Sequence, residues 1–404
     1  MPIGTLRDLE CSGKTVLLRL DLNSPIDPNS HLILDDKRFR EHLPTVRALS
    51  DCRVVIVTHQ SRPGKKDFTT LEAHAGKLED LLGTPVTYID SVFGRHAKDA
   101  VNASKPGDIL MLENVRFAAE ENLTMKPDEA KKTHLVKKLS SMADFFVNDA
   151  FGTAHRSQPT IVGLPLAMKS AAGLLMEKEV ATLSKVFTGA PRPVCMVLGG
   201  TKVDDSIEVA AHVLENGIAD SVIVIGVVAN VFYLAAGYDI GKPSTQLIEQ
   251  LKYSAEIKKA QDILAKFSDR VILPFSVAVR QNGKRAEYPI DKIPADAPVM
   301  DLGMDSLARL VSTLKKSGTV VFNGPAGVFE DPDFATGTFE LLRAAAKVEF
   351  SVVGGGHTAA VIEKLGITND FTHISTGGGA CIEFLTGKKL PAVEALEESY
   401  KIFG

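Results

Sequence analysis

The chain has 404 residues, too many for one hydrophobic core, so two domains are expected. Hydrophobic residues make up 45% of it and charged residues 24%, and a net charge of −4 gives no reason to expect a polyanion-binding surface, although a local cationic site stays open. Cys11, Cys52, Cys195 and Cys381 lie far apart with no CxxC pair, which argues against zinc and fits a reducing compartment.

The N-terminal MPIGTLRDLE has no apolar h-region of a signal peptide, and a cytoplasmic protein is expected. Short apolar runs then alternate with helix-length amphipathic segments, the pattern of α/β folds with parallel sheets. Strands are predicted at Val16–Leu20, Val54–Thr58, Val86–Ile89, Ile109–Leu112 and Phe145–Val147. The segment Ala172–Phe187 reads as one helix, with Leu174, Leu175, Val180 and Leu183 as packing positions, and Thr188-Gly189-Ala190-Pro191 stops it. It serves as a connector between two halves. The second half predicts strands at Val194–Leu198, Val222–Ile225, Val271–Leu273, Thr319–Phe322, Phe350–Val353 and His373–Ser375. Ser221–Tyr238 carries no charge, but Gly226, Asn230 and Gly237 interrupt it, so it reads as strand, turn and buried helix rather than a membrane span.

Ligands of open α/β sheets bind beyond the carboxyl ends of the strands. In the first half those ends are cationic and polar: Asp21 and Asn23 in RLDLNSP, His59 and Arg62 in THQSRP, Arg116 in MLENVRF, His155 and Arg156 in FVNDAFGTAHR. Arg38 falls in a loop or helix start between the first two strands. Any one of these arginines alone reads as a surface residue. Together at one sheet edge they form a pocket for phosphate or carboxylate, which guanidinium groups grip with paired hydrogen bonds.

In the second half the strand ends are rich in glycine: LGGTK, IGVVAN, FNGPAGVFE, VGGGHTAA and STGGGA. Glycine turns that feed helix N-termini suit a phosphate chain, although a lone turn of this kind is only a turn. Lys202 stands where a helix should begin after Gly199 and Gly200 and adds a mobile full charge. A nucleotide site in one half and an anion site in the other point to phosphoryl transfer onto an acidic metabolite. Familiar nucleotide motifs do not account for the chain. Ser12-Gly13-Lys14-Thr15 ends like a P-loop, but Asp8 stands where its first glycine belongs, and neither a GxGxxG after the first strand nor an HRD…DFG set is present.

These motifs, in this order and spacing, resemble the phosphoglycerate kinase family, and the resemblance runs nearly end to end. It implies reversible transfer of a phosphoryl group between ATP and 3-phosphoglycerate, giving ADP and 1,3-bisphosphoglycerate, in glycolysis or gluconeogenesis. The transfer would be in-line, in a closed interdomain cleft, with Mg2+ arriving on the nucleotide. It also implies two Rossmann-like domains with six-stranded parallel sheets: residues 1–171 for 3-phosphoglycerate, a helix at 172–187, and residues 188–389 for the nucleotide. The tail 390–404 would pack back on the first domain, and the protein would be a monomer or homodimer. The implied phosphoglycerate ligands are Asp21, Asn23, Arg38, His59, Arg62, Arg116 and Arg156, with His155 behind them. Arg38 and Lys202 would flank the transferring group. The implied nucleotide contacts are Gly199, Gly200, Lys202, Asn323, Glu330 at the ribose, Gly354, Gly355, Gly356, His357, Thr358, Gly377, Gly378 and Gly379.

Two positions depart from the resemblance and look like the archaeal form of the family. Ser206 stands where a second lysine is usual, and His357 stands where an aspartate is associated with magnesium. Histidine is a poor magnesium ligand, because magnesium prefers oxygen, so the ion is expected to arrive with the nucleotide. The rival readings are a nicotinamide-dependent dehydrogenase, disfavoured by the missing GxGxxG, and an inactive nucleotide-binding protein of the same fold, disfavoured by the presence of both Arg38 and Lys202.

Overall fold

The computed structural model describes residues 3–404 and divides into two compact units. One runs to Ala181 and takes in Lys389–Gly404; the other is Thr182–Lys388.

The first unit is built on β1 (Thr15–Arg19), β2 (Arg53–Val57), β3 (Val86–Ile89), β4 (Ile109–Leu112), β5 (Phe145–Asn148) and β6 (Ser170–Ala172). They form one six-stranded sheet in the order β3-β4-β2-β1-β5-β6, every pairing parallel. Alternation along β1 sends its side chains to two cores. Val16, Leu18 and Leu20 join Val54, Ile56 and Phe39 on one face, while Leu17 joins Val55, Val57 and Leu110 on the other. Burial on both faces is why the run is continuously apolar. Helix Lys37–Ala48 lays Phe39, Leu43 and Val46 on the first face.

The second unit repeats the plan with β7 (Val194–Leu198), β8 (Ser221–Val224), β9 (Val271–Ile272), β13 (Thr319–Asn323), β14 (Phe350–Gly354) and β15 (His373–Ile374). Their order is β15-β14-β13-β7-β8-β9, again with parallel pairings throughout. The expected strands therefore form within a residue or two of the expected bounds, and the two parallel sheets that the resemblance implies are present.

Two features lie outside the sequence reading. β6 is three small residues, Ser170–Ala172, too short to register as an apolar run. A separate three-stranded antiparallel sheet joins β10 (Ser276–Gln281), β11 (Lys284–Pro289) and β12 (Val299–Leu302). Its β11 is largely exposed and polar, but Asn282 and Gly283 at φ 50° and 76° form the tight turn that Asn-Gly marks in a hairpin. That dipeptide was the legible signal.

Helix Leu174–Thr188 crosses from one unit to the next, the division falling after Ala181. Leu175 and Leu183 are buried as expected, whereas Leu174 is 37% exposed and Met176 takes the buried place. Leu174 sits at the helix start, where its N–H, donated to Thr45 Oγ1 at 3.0 Å, matters more than its side chain. Helix Pro391–Phe403 lies in the first unit, where Ala392 N–H donates to the Ala154 carbonyl at 3.0 Å and Ser399 Oγ to the Met168 carbonyl at 3.3 Å.

Candidate active site

Because the first sheet is parallel, the ends of β1, β2, β4 and β5 share one edge. β1 lies between β2 and β5, where the winding direction changes, the usual ligand position of such a sheet. Asp21 follows β1, is buried, and pairs with Arg38 from the first turn of helix Lys37–Ala48. Burial pushes its carboxyl upward, but Arg38, His59, His42 and Arg19 outweigh that and hold it at about 2.

His59 follows β2 and is buried beside Asp21, with Nδ1 4.0 Å from Oδ1. Its Nδ1 lies 3.4 Å from the Arg19 guanidinium, which can only donate, so Nδ1 accepts and Nε2 carries the proton. Burial holds His59 neutral by lowering its pKa well below the usual histidine value, helped by Arg19, Arg116 and Arg156. Arg116 is buried at the end of β4 and is brought down to about 10, first by burial, then by Arg156 and Arg19. Five of the expected residues are thus linked: His59 and Arg116 interact with Asp21, with Arg156 and with each other, and Arg38 joins them through Asp21. Asn23 stands beside them, its Oδ1 accepting from Ser61 N–H at 2.7 Å. Arg62 is exposed on the loop after β2 and lies outside the packed set.

Sequence reasoning passed over two members. Arg19 sits fully buried beneath the cluster, donating to the Leu20 carbonyl at 2.7 Å and Thr160 Oγ1 at 3.1 Å, with Glu121 3.9 Å away. It ends an apolar strand, and an arginine inside such a run was the available signal. Ser61 holds φ 53°, its N–H on Asn23 and its carbonyl on the Arg116 guanidinium. Nothing in the sequence marks a serine for that conformation.

One expected result follows from Asp21. Its carboxyl is depressed from 3.8 to about 2, so it contributes about 2 kcal/mol at neutral pH. That stability is complete above the unfolded-state value and is lost as pH falls from about 4 toward about 2, because the unfolded chain takes the proton first. Denaturant unfolding over this range should show a shallower acid limb in Asp21→Asn than in the wild type. Identical limbs would rule Asp21 out as the responsible group.

The second unit's edge is made of close backbone approaches. Gly199 N–H donates to the Asn323 carbonyl at 2.7 Å and Gly200 N–H to the Pro325 carbonyl at 2.9 Å. A Cβ on Gly324 would lie 2.2 Å from the Gly199 carbonyl oxygen, and one on Gly226 would lie 2.6 Å from that of Pro325. Glycine at these positions is therefore a packing requirement that draws the ends of β7, β8 and β13 together. Gly324→Ala, at φ 84°, is expected to destabilise by on the order of 2 kcal/mol in thermal unfolding. Gly189→Ala, with nothing within 4 Å of the added methyl, should be near neutral. Similar melting shifts in both would contradict this account.

Next to these turns, Gly354 ends β14, Gly355 takes φ 91°, and helix Gly356–Lys364 begins. Asn323 Oδ1 is buried with no hydrogen-bond partner beside Gly354 and Gly355, while Thr358 Oγ1 accepts from Gly324 N–H at 3.2 Å. After β15, Gly377 N–H donates to Ser375 Oγ at 3.1 Å, and Gly378 caps helix Gly379–Leu385. Lys202 is exposed at the N-cap of helix Val203–Glu215, as the turn predicts. Ser206 is buried and donates to the Lys202 carbonyl at 2.8 Å, so it closes the turn behind Lys202 and presents nothing to a ligand.

A mostly apolar cavity of about 280 Å³ opens beside Gly200 and Gly226. Tyr233, Leu247, Met300 and Val328 line it, with Glu330 and His357, both exposed, also in its wall. Its apolar wall comes from segments far apart in sequence, so no local motif announced it. The His357 ring centroid lies 6.2 Å from that of Phe329. Among the described residues, no group of three or more His, Cys, Asp or Glu is arranged to hold a metal ion.

A cationic edge on one parallel α/β unit, and a glycine-walled edge with a lysine and an apolar cavity on another, define a phosphotransferase of the two-unit α/β kind. The model of the family "Phosphoglycerate kinase" matches residues 6–388. The chain is 66% identical to the phosphoglycerate kinase of Methanocorpusculum labreanum over 404 residues, all of both chains, and 47% identical to that of Methanothermus fervidus, covering 98% of this chain and 97% of the other. The crystal structure of phosphoglycerate kinase from Pyrococcus horikoshii OT3 superposes with TM-score 0.92 at 42% identity, covering 99% of this chain and 100% of that one. The structure of phosphoglycerate kinase from Coxiella burnetii gives TM-score 0.83 at 32% identity over 98% and 99% of the two chains. The chain belongs to the phosphoglycerate kinase family, and its activity is that family's kinase activity in glycolysis. The dehydrogenase alternative is not favoured. No helix of the described residues is long and apolar enough to cross a membrane.

Proposed function

We propose that the chain moves a phosphoryl group between ATP and the carboxyl group of 3-phosphoglycerate, giving ADP and 1,3-bisphosphoglycerate. The observation that carries this reading is the gathering of Arg19, Arg116 and Arg156 around neutral His59 at one edge, where burial and the neighbouring guanidinium groups lower Arg116 and His59. Cations crowded into a partly desolvated site are relieved by an anion, and a phosphorylated acid supplies two anionic ends. Asp21 orients Arg38, and Asn23 and Arg116 are both secured through Ser61, so the site is organised before substrate arrives.

In the nucleotide unit, the apolar cavity suits a base, with Glu330 at the ribose. The main-chain N–H groups of the glycine turns suit phosphates. In the reacting complex Arg38 and Lys202 neutralise the equatorial oxygens of the phosphoryl group, Arg38 from the acid side and Lys202 from the nucleotide side. Magnesium is taken to enter on the nucleotide's phosphates. His357 offers nitrogen where that ion prefers oxygen, and no step here runs through a protein-held metal.

The test is turnover with ATP, magnesium and 3-phosphoglycerate, the acyl phosphate being followed through a coupled NADH-oxidising reductase. Turnover of about 1–100 s⁻¹ or faster is expected. Folded protein with no turnover on this acceptor would refute the reading.

A further inference from the structure

Helix Lys37–Ala48 carries more than Arg38 on its inner face. Arg38, His42 and Thr45 follow at helical spacing, and each makes a specific hydrogen bond. Arg38 pairs with the Asp21 carboxylate, and Thr45 Oγ1 accepts the N–H of Leu174 at 3.0 Å. His42 is 2% exposed and stands between them. Its Nε2 lies 3.2 Å from the main-chain nitrogen of Asp21, and its Nδ1 lies 2.8 Å from Oδ2 of Asp149.

The tautomer follows from the partners. A main-chain N–H can only donate, so Nε2 is the acceptor, and Nδ1 carries the proton and gives it to Asp149. Asp149 is fully buried just after β5, and its second oxygen accepts the N–H groups of Leu175 at 2.9 Å and Met176 at 3.2 Å. Those are the free amides at the start of helix Leu174–Thr188, which runs from one unit into the other. A Cβ on Gly173 would lie 2.2 Å from Asp149 Oδ1, and one on Gly152 would lie 2.2 Å from Asp21 Oδ2. Each carboxylate thus occupies space that only a glycine at the neighbouring position leaves open.

We propose that His42 and Asp149 are positioning residues for the phosphoglycerate site, fixing the Asp21 main chain so that its carboxylate meets Arg38 and tying it to the amides that open the inter-unit helix. The pair touches no substrate and acts through Asp21. The hydrogen-bond path from Arg38 to Leu175 is continuous: Arg38 to Asp21, the Asp21 amide to His42, His42 to Asp149, Asp149 to the helix. This inference rests on the acid-site reading above.

The test variant is Asp149→Asn. It keeps size and the oxygen that caps the helix, but it sets an N–H₂ against Nδ1. His42 must then place its proton on Nε2, donor against the Asp21 donor. KM for 3-phosphoglycerate is expected to rise about tenfold while KM for ATP stays within about twofold, the size of one lost buried hydrogen bond at one site. His42→Gln, whose amide can accept from Asp21 and donate to Asp149, should fall between this variant and wild type. Equal shifts of both KM values, or an unchanged KM for phosphoglycerate, would overturn the proposal.

A wild-type measurement stands even if the variants do not fold. Nitrogen-15 NMR of the His42 ring should show an unprotonated Nε2 whose signal moves on titration with 3-phosphoglycerate. A protonated Nε2, or a signal unmoved at saturation, would also overturn it. The two readings fail separately: a wild type without turnover on 3-phosphoglycerate defeats the acid-site reading, whereas a fully active wild type with an indifferent Asp149→Asn defeats only the positioning role.

Discussion

Replacing Lys202 with alanine is expected to lower kcat by on the order of 10²–10³ while KM for ATP changes less than about threefold. Lys202 occupies an N-cap and is exposed, so its removal opens no cavity in the core. The turn beside it is held by main-chain bonds from Gly199 and Gly200, which the substitution leaves alone. Ser206 is committed to the Lys202 carbonyl and cannot take over the charge. Nucleotide affinity therefore survives in the cavity and the glycine turns, while the transition state loses a cation that matters most as negative charge redistributes. Steady-state kinetics with both substrates varied decides the matter. A variant with wild-type kcat removes Lys202 from the mechanism, and a change confined to KM makes it a binding group only.

Arg38→Ala is expected to be at least as costly, with kcat/KM for 3-phosphoglycerate falling by roughly 10³, because one side chain has two tasks. It meets the substrate edge, and it is the leading influence lowering the Asp21 carboxyl against the upward push of burial. Without it, Asp21 keeps His59, His42 and Arg19 but loses its ion-pair partner, so its carboxyl should rise from about 2. The acid limb of stability should then shift to higher pH, in the same experiment proposed for Asp21→Asn. Arg38→Lys restores charge without the planar fork and should recover only part of the activity. Wild-type kcat/KM in Arg38→Ala would mean that the cationic edge binds its anion without this residue.

Much of this protein is legible one segment at a time. Val194–Leu198 is a strand and Gly199-Gly200 a turn because β-branching and the absence of a side chain are properties of those residues wherever they stand. The same holds for the helix that starts after Lys202. Parallel sheets follow from the alternation of such runs with helices, and the charged ends of β1, β2, β4 and β5 follow from reading one position past each run. Short or two-faced elements escape. β6 has too few residues to carry a pattern, and β11 is polar on both sides because it is largely exposed.

What the tertiary structure alone decides is which distant groups share a low-dielectric space. His42 and Asp149 are unremarkable as letters, yet the fold places an imidazole between a main-chain amide and a helix-capping carboxylate. Arg62 and Arg116 look alike in sequence, yet the fold leaves Arg62 exposed and buries Arg116 beside Arg156 and Arg19. The cavity beside Gly200 is assembled from segments as far apart as Tyr233 and Val328. Local conformation and the chemistry on offer at each strand end depend on near neighbours along the chain, so both can be read from the residues in order. Packing and electrostatics depend on distance in space, so the selection of which of those groups act together was made by the fold.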